Sequence, residues 1–263
     1  MRLGALRDDV EPRIALFSDV DGTLLDSNDR LALTDRDVMR LAPHVELILA
    51  SSRTLVELGD VQRRLGLDGA LIAENGAVMS FPPRWRGKGT RKREILVLGD
   101  SIKLLRPLVE RCAVAAGVSI VDQRDVLPDK GRSLRREYSV CVREWSGPGS
   151  ERFLAALLKD GLTATRSGRW ITITRGADKG IAARAVLAHA ERLGAGFERS
   201  VAIGNAANDE SLLAATQGRF AIRNPRRGHQ GELLLLPDVI PLAASGARAW
   251  REALISILEK EGP

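Results

Sequence analysis

Asp19 and Asp21 are the side chains of this sequence best placed to do chemistry together. They flank Val20, directly after the apolar run 14–18 and just before Gly22. With one residue between them on a strand leaving its sheet, both carboxylates can converge on one point. Converging carboxylates repel, so a cation is expected between them; the other reading is a turn that carries helix-capping acids. Ser51 ends a second apolar run, 45–50, where its hydroxyl and neighbouring N–H groups could hold a phosphate oxygen. Lys179 opens a helix immediately before Gly180. An ammonium there opposes the helix dipole and asks for an anionic neighbour, unless it is an ordinary solvated lysine. Asn208 and Asp209 follow the apolar stretch 200–203 and Gly204, and they add further oxygens. Cys112, Cys141, His44, His189 and His229 stand singly, so zinc sites are not expected. A hard-oxygen set without Cys or His suits Mg²⁺.

The elements needed to gather these residues can be read from the hydrophobic pattern. Strands are expected at 14–18, 45–50, 70–73 and 200–203, each ending in a polar tip and each but the third running on towards a helix. The expected helices include one capped by Thr34 and one carrying Leu55, Leu58 and Val61, with later ones at 179–193, 210–215 and 247–259. This alternation is the rhythm of a parallel α/β sheet, and ligands bind at the carboxyl edge of such sheets. Between Phe81 and Ala177 the rhythm changes. Pro82-Pro83 and a run with six basic residues, 84–93, read as a solvated connector. Strands near 94–98, 133–144 and 169–174 then interleave with helices at 101–116 and 150–159. The fold class expected is α/β, an open parallel Rossmann-like sheet with an inserted α+β module. The core would comprise residues 1–82 and 175–263, and the insertion residues 83–174.

Composition narrows the partners. The chain has 263 residues, 44% hydrophobic and 28% charged, enough apolar material for two modest folded domains. No apolar stretch approaches the roughly 20 residues of a membrane span, and charges occupy the first dozen positions where a secretion signal would be apolar. A cytoplasmic protein with no membrane partner is expected. The net charge of +6 favours anionic partners in general. Aromatic content of 4% gives no basic-aromatic motif, so nucleic acid is not an expected partner.

Four segments together resemble the haloacid dehalogenase superfamily of phosphatases. LFSDVDGTLLD (16–26) is similar to its first motif and LILASSRT (47–54) to its second. Ala177-Asp178-Lys179-Gly180 is similar to the third and IGNAANDESLL (203–213) to the fourth. The insertion resembles the C2-type cap that covers the active site in this superfamily. Smaller features resemble mannosyl-3-phosphoglycerate phosphatases: Ser51-Ser52-Arg53-Thr54, Glu74-Asn75-Gly76, the segment Arg136 to Ser139, and Gly246 with Trp250.

The resemblance implies an Mg²⁺-dependent phosphomonoesterase acting on a phosphorylated sugar or a glycosyl-phosphoglycerate. Asp19 would be the nucleophile, forming an aspartyl-phosphate, and Asp21 the general acid and base. Ser51 and Lys179 would hold phosphoryl oxygens, and Asp19, Asp21, Asn205 and Asp209 would serve the metal. Ser52, Arg53, Glu74, Asn75, Arg136, Tyr138 and Asn208 would contact the substrate. One position departs from the family: Asn205 stands where Asp is usual, which predicts weaker metal binding or a shift of the ligand to Asp209. That departure keeps open a weakly active or non-catalytic ligand-binding descendant, and a related sugar phosphomutase is the other alternative. A monomer or homodimer is expected.

Overall fold

The computed structural model describes residues 14–26, 29–31, 45–86, 90–126, 135–167, 169–225 and 228–259. The helix expected after Thr34 lies outside these residues. The fold is α/β, an open parallel-dominated sheet with an inserted α+β segment.

The large sheet has eight strands. In chain order they are β1 (Ile14–Ser18), β2 (Val45–Ala50), β3 (Leu71–Ala73), β4 (Val78–Phe81), β5 (Glu94–Val97), then β9 (Arg199–Gly204), β10 (Gly218–Arg223) and β11 (Val239–Ser245). Their spatial order is β11-β10-β9-β1-β2-β3-β4-β5, parallel from β11 to β3 and antiparallel at β4 and β5. Every residue of β1 and β2 is buried, as expected of strands covered on both faces. Alternation divides β1 between two layers. Ile14 and Leu16 face helix α1 (Leu55–Leu65) and the last helix, α6 (Gly246–Glu259), through Leu58, Val61, Trp250 and Leu254. Ala15 and Phe17 face α4 (Lys179–Arg192) and α5 (Glu210–Ala214) through Ala182, Val186, Leu212 and Leu213.

The inserted segment has a core of its own. Three antiparallel strands, ordered β6 (Val140–Arg143), β8 (Trp170–Thr174), β7 (Thr163–Ser167), turn Val140, Val142, Ile171 and Ile173 towards two helices. Those helices, α2 (Ile102–Ala116) and α3 (Pro148–Lys159), answer with Leu105, Val109, Phe153 and Leu157.

Two strands carry no clear signal in the sequence pattern. Val78–Phe81 is buried throughout, so it shows no alternation, and it is only four residues long. Thr163–Ser167 is polar, and β-branched threonines rather than apolar residues give it strand character. The strand at 94–97, grouped in sequence with the insertion, pairs with β4 and closes the edge of the large sheet. The basic stretch also proves less solvated than its composition suggests. Arg84 pairs with Glu46, and Arg93 donates to Ser80 Oγ at 2.7 Å and to the Gly69 carbonyl at 2.7 Å while pairing with Asp68.

Candidate active site

The chain runs from β1 to β2 and β3 on one side, and β9 to β11 lie on the other. That reversal places a crevice at the carboxyl end of β1. Registers Ser18 to Leu49 and Ser18 to Ile203 bring the residues after β1, β2 and β9 side by side. Asp19, Ser51 and Asn205 therefore emerge from adjacent strands, which is why three separate motifs meet.

Lys179 is the centre of the arrangement. Asp178 caps α4 by accepting from the Ile181 N–H at 2.7 Å, which fixes Lys179 as the first helical residue. Its ammonium is 1% exposed and donates to Asp19 Oδ1 at 2.7 Å and to Asp209 Oδ1 at 2.6 Å. The anionic neighbour that the sequence position asked for is thus a pair of carboxylates. Burial opposes the lysine's charge, but Asp19 and Asp209 more than offset this and hold its pKa above the usual lysine range. Burial pushes Asp19 up to about 7, Asp209 pushes the same way, and Lys179 pulls against both. The other Asp209 oxygen accepts from the N–H groups of Asn205 and Ala206 at 2.9 and 3.1 Å.

Asp19 is held from several directions. Thr23 Oγ1 donates to its Oδ2 at 3.1 Å. Beneath it, Trp250 Nε1 on α6 donates to Ser18 Oγ at 2.8 Å, and Ser18 Oγ donates to the Asp19 carbonyl at 2.7 Å. Sequence reasoning assigned no role to Thr23 or Ser18. Thr23 could have been found from its place four residues after Asp19, but no periodicity connects Ser18 with Trp250.

Asp21 is 46% exposed and is gripped by Arg53, whose Nη2 and Nε donate to it at 2.6 and 3.1 Å. Ser51 is buried, and its Oγ accepts from the Arg53 N–H at 3.2 Å. The Thr54 capping box with Glu57 starts α1 directly behind this turn. Asn75, in a left-handed conformation, joins the crevice by donating its N–H to the Ser51 carbonyl at 3.0 Å and accepting from Asn208 Nδ2 at 3.4 Å.

Three residues expected to contact substrate have partners within the chain. Glu74, 3% exposed, accepts from the N–H groups of Glu137 and Tyr138 at 3.1 Å each and from Ser139 Oγ at 2.6 Å. Arg136, 7% exposed, donates to the Ser52 carbonyl at 2.7 Å and to Gln123 Oε1 at 3.0 Å. Tyr138 packs against the apolar layer under α1 and α6. Together Glu74, Arg136, Tyr138 and the Ser52 carbonyl fasten the inserted segment to the carboxyl edge of the large sheet.

Among the described residues, no three His, Cys, Asp or Glu side chains form a metal cage by themselves. Hard oxygens are nonetheless at hand: the Asp19 carboxylate and the Asp21 main-chain oxygen, to which the Asn205 amide donates its Nδ2–H at 3.2 Å, so Asn205 would serve a cation only by turning its amide oxygen inward. Burial above all, then the Asp209 and Asp21 carboxylates, raise the Asp19 pKa against the pull of Lys179, so a cation beside Asp19 would relieve it. This donor set fits a hard divalent cation. Both Asp209 oxygens are engaged, one by Lys179 and one by backbone N–H groups, so a ligand shift to Asp209 would cost those bonds.

Comparison with known proteins agrees with this geometry. Residues 16–91 match the haloacid dehalogenase-like hydrolase family. The chain is 26% identical over 266 residues to a glucosyl-3-phosphoglycerate/mannosyl-3-phosphoglycerate phosphatase of Persephonella marina, covering 94% of this chain and 98% of that protein. Its fold is that of a Thermoplasma acidophilum protein, with TM-score 0.67, 16% identity and coverage of 94% and 98%. It is also that of the sucrose-phosphatase of Synechocystis, solved with sucrose and phosphate, with TM-score 0.63, 18% identity and coverage of 94% and 98%. No helix among the described residues of the chain is long and apolar enough to cross a membrane.

Proposed function

We propose that this protein is an Mg²⁺-dependent phosphomonoesterase that hydrolyses a phosphorylated sugar or a glycosyl-phosphoglycerate through a phosphorylated Asp19. The observation that carries this reading is the buried Lys179 ammonium shared by Asp19 and Asp209 at the carboxyl end of β1. The Lys179 ammonium favours the ionised form of Asp19 against burial and Asp209, and the ionised form is the one a carboxylate nucleophile needs.

In the first step an Asp19 oxygen forms a bond to phosphorus and the bond from phosphorus to the sugar oxygen breaks. Asp21 gives its proton to that departing oxygen. In the second, a water oxygen attacks phosphorus, Asp21 takes the water proton, and the Asp19 carboxylate leaves. Asp21 must first leave Arg53, whose guanidinium then becomes available to an incoming phosphate. The Ser51 hydroxyl and Lys179 hold phosphoryl oxygens as their charge redistributes. Asp19, the Asp21 main-chain oxygen and Asn205 would hold Mg²⁺, which supplies charge neutralisation between carboxylate and phosphate. Asp209 acts through Lys179 and through the 205–206 turn. The body built on residues 1–82 and 175–263, with β5 at its edge, would carry the chemistry, and the rest of residues 83–174 would cover it and exclude water.

The test is release of inorganic phosphate from sugar phosphates and from p-nitrophenyl phosphate, with and without Mg²⁺. Turnover that needs the metal and falls at least about a thousandfold in Asp19→Asn, with the fold intact by circular dichroism, is the expected result. Appreciable phosphate release by Asp19→Asn would remove Asp19 as nucleophile. Transfer of the phosphoryl group to a second sugar position without free phosphate would indicate a mutase.

A further inference from the structure

Trp250, the largest fully buried side chain among the described residues, takes no part in the reaction scheme above. It stands in the first half of α6, and its indole N–H is a donor with no accepting capacity. That N–H reaches across to the end of β1 and donates to Ser18 Oγ at 2.8 Å. Ser18, like Trp250, is 0% exposed, and its hydroxyl donates in turn to the Asp19 carbonyl at 2.7 Å. A helix near the end of the chain is thereby joined to the main chain of the nucleophile.

The Asp19 carbonyl needs this hydroxyl because its regular partner is taken. Asp19 donates its own N–H to the Ile203 carbonyl at 3.0 Å, which continues the ladder between β1 and β9. In an unbroken parallel ladder the same residue would accept from the N–H of Asn205. That N–H turns instead to Asp209 Oδ2 at 2.9 Å, where it helps to hold the carboxylate that shares Lys179. The Ser18 hydroxyl fills the gap. Trp250 cannot accept, so the Ser18 proton is left to the carbonyl while the indole N–H occupies a lone pair of Oγ.

Alternation makes this a support from behind. Ile14, Leu16 and Ser18 face α1 and α6, whereas Phe17 and Asp19 face α4 and Lys179. The Asp19 carboxylate is held from one face of the sheet and its main chain from the other. The same helix meets the far end of the turn. Gly246, the first residue of α6, has φ of 56°, and a Cβ on it would lie 3.9 Å from the Gly22 carbonyl oxygen. Segment 18–22 is thus touched by α6 at both ends.

We propose that Trp250 is a positioning residue for phosphoryl transfer: acting through Ser18 Oγ, it fixes the main chain of Asp19 and with it the line along which the Asp19 carboxylate meets phosphorus. This rests on the phosphomonoesterase reading above and adds to it the part that the last helix plays.

The experiment is a double-variant cycle of Trp250→Phe, which keeps an aromatic ring and loses the N–H, with Ser18→Ala. Phosphate release from p-nitrophenyl phosphate with Mg²⁺ gives kcat and KM, and circular dichroism checks the fold of each variant. Each single variant should lower kcat about tenfold, the worth of one good hydrogen bond, and leave KM within about twofold. The double variant should be no slower than the slower single one, because both changes break one chain of bonds. An unchanged kcat in Trp250→Phe, or losses that multiply in the double variant, overturns the proposal. Fluoroberyllate, which bonds to a carboxylate oxygen as a phosphoryl group does, reads the same placement without turnover. Its half-saturating concentration by fluorine NMR, with Mg²⁺ present, should rise about tenfold in either single variant and no further in the double. Equal values in the wild type and Trp250→Phe, or no bound signal in the wild type, overturn the proposal. A wild type that hydrolyses no ester yet binds fluoroberyllate with this pattern would fail the catalytic reading alone.

Discussion

Asp19 lies under opposing demands. Burial and Asp209 favour its protonated form, while Lys179 and Thr23 stabilise the charged one. Close by is Asn205, which sits where the phosphatases that the motif resembles usually have a carboxylate. Its amide donates to the Asp21 main-chain oxygen at 3.2 Å, an attraction that a carboxylate would turn into oxygen facing oxygen. Asn205→Asp should therefore weaken the metal-free protein by about 1–3 kcal/mol, the cost of an unsatisfied buried polar contact. At this chain length that lowers the thermal midpoint by several degrees. The added charge should in turn tighten Mg²⁺, read as a larger rise in midpoint when Mg²⁺ is added than the wild type shows. Equal Mg²⁺-induced shifts in the two proteins would take residue 205 out of the ligand set.

At the scale of elements, the site depends on how closely two turns approach. The turn Glu74–Gly76 follows β3 with Glu74 and Asn75 at φ of 50° and 56° and Gly76 at 97°. A Cβ on Gly76 would lie 2.1 Å from the Asp178 carbonyl oxygen and 3.0 Å from the Lys179 nitrogen. Both obstacles are backbone at the start of α4, so the helix itself would have to retreat. Gly76→Ala should then displace Lys179 from Asp19 and lower kcat about a hundredfold, since misplacement by about 1 Å has that effect. Steady-state phosphate release by folded Gly76→Ala protein is the measurement, and near-normal kcat would show that α4 tolerates the shift. The strand pattern around this turn explains its reach. β2 and β3 end at the same edge, so the residues after each contribute to one crevice.

For the whole molecule, two buried carboxylates far from each other set stability. Glu74 joins the inserted segment to the large sheet through three accepted hydrogen bonds from residues 137–139. Glu74→Ala leaves those donors unpaired and should cost about 2–4 kcal/mol in urea unfolding, with faster amide exchange concentrated at 137–139. Unchanged exchange there would mean that other contacts hold the two parts together. Glu46 lies near the other end of β2, 3% exposed and paired with Arg84. Burial, only partly countered by Arg84, pushes it up to about 7 from an ordinary 4.5. The folded protein thus binds this proton more tightly than the unfolded chain. Its contribution is fully present below about pH 4.5 and is lost as pH rises through 7. Glu46→Gln removes the titration, so the fall in thermal midpoint between pH 5 and pH 8 should be smaller than in the wild type; parallel curves would assign the pH dependence to other groups.

The sequence by itself determined the α/β rhythm, the insertion and the polar strand tips carrying Asp19, Ser51, Lys179 and Asp209. These signals are local: an apolar run, a breaker and a cap are each written in a few consecutive residues. Where signals were not local, the sequence was silent or pointed elsewhere. Val78–Phe81 and Thr163–Ser167 have strand pairing that only their neighbours reveal. Glu74, Arg136 and Tyr138 have the right chemistry for a ligand, yet tertiary packing spends them on joining two parts of the chain. Folding likewise decided which oxygens remain free, since Arg53 occupies Asp21 and Lys179 and two N–H groups occupy Asp209. A residue's type fixes what bonds it can make, but its bonding capacity is finite, and only the folded arrangement decides which partner takes it.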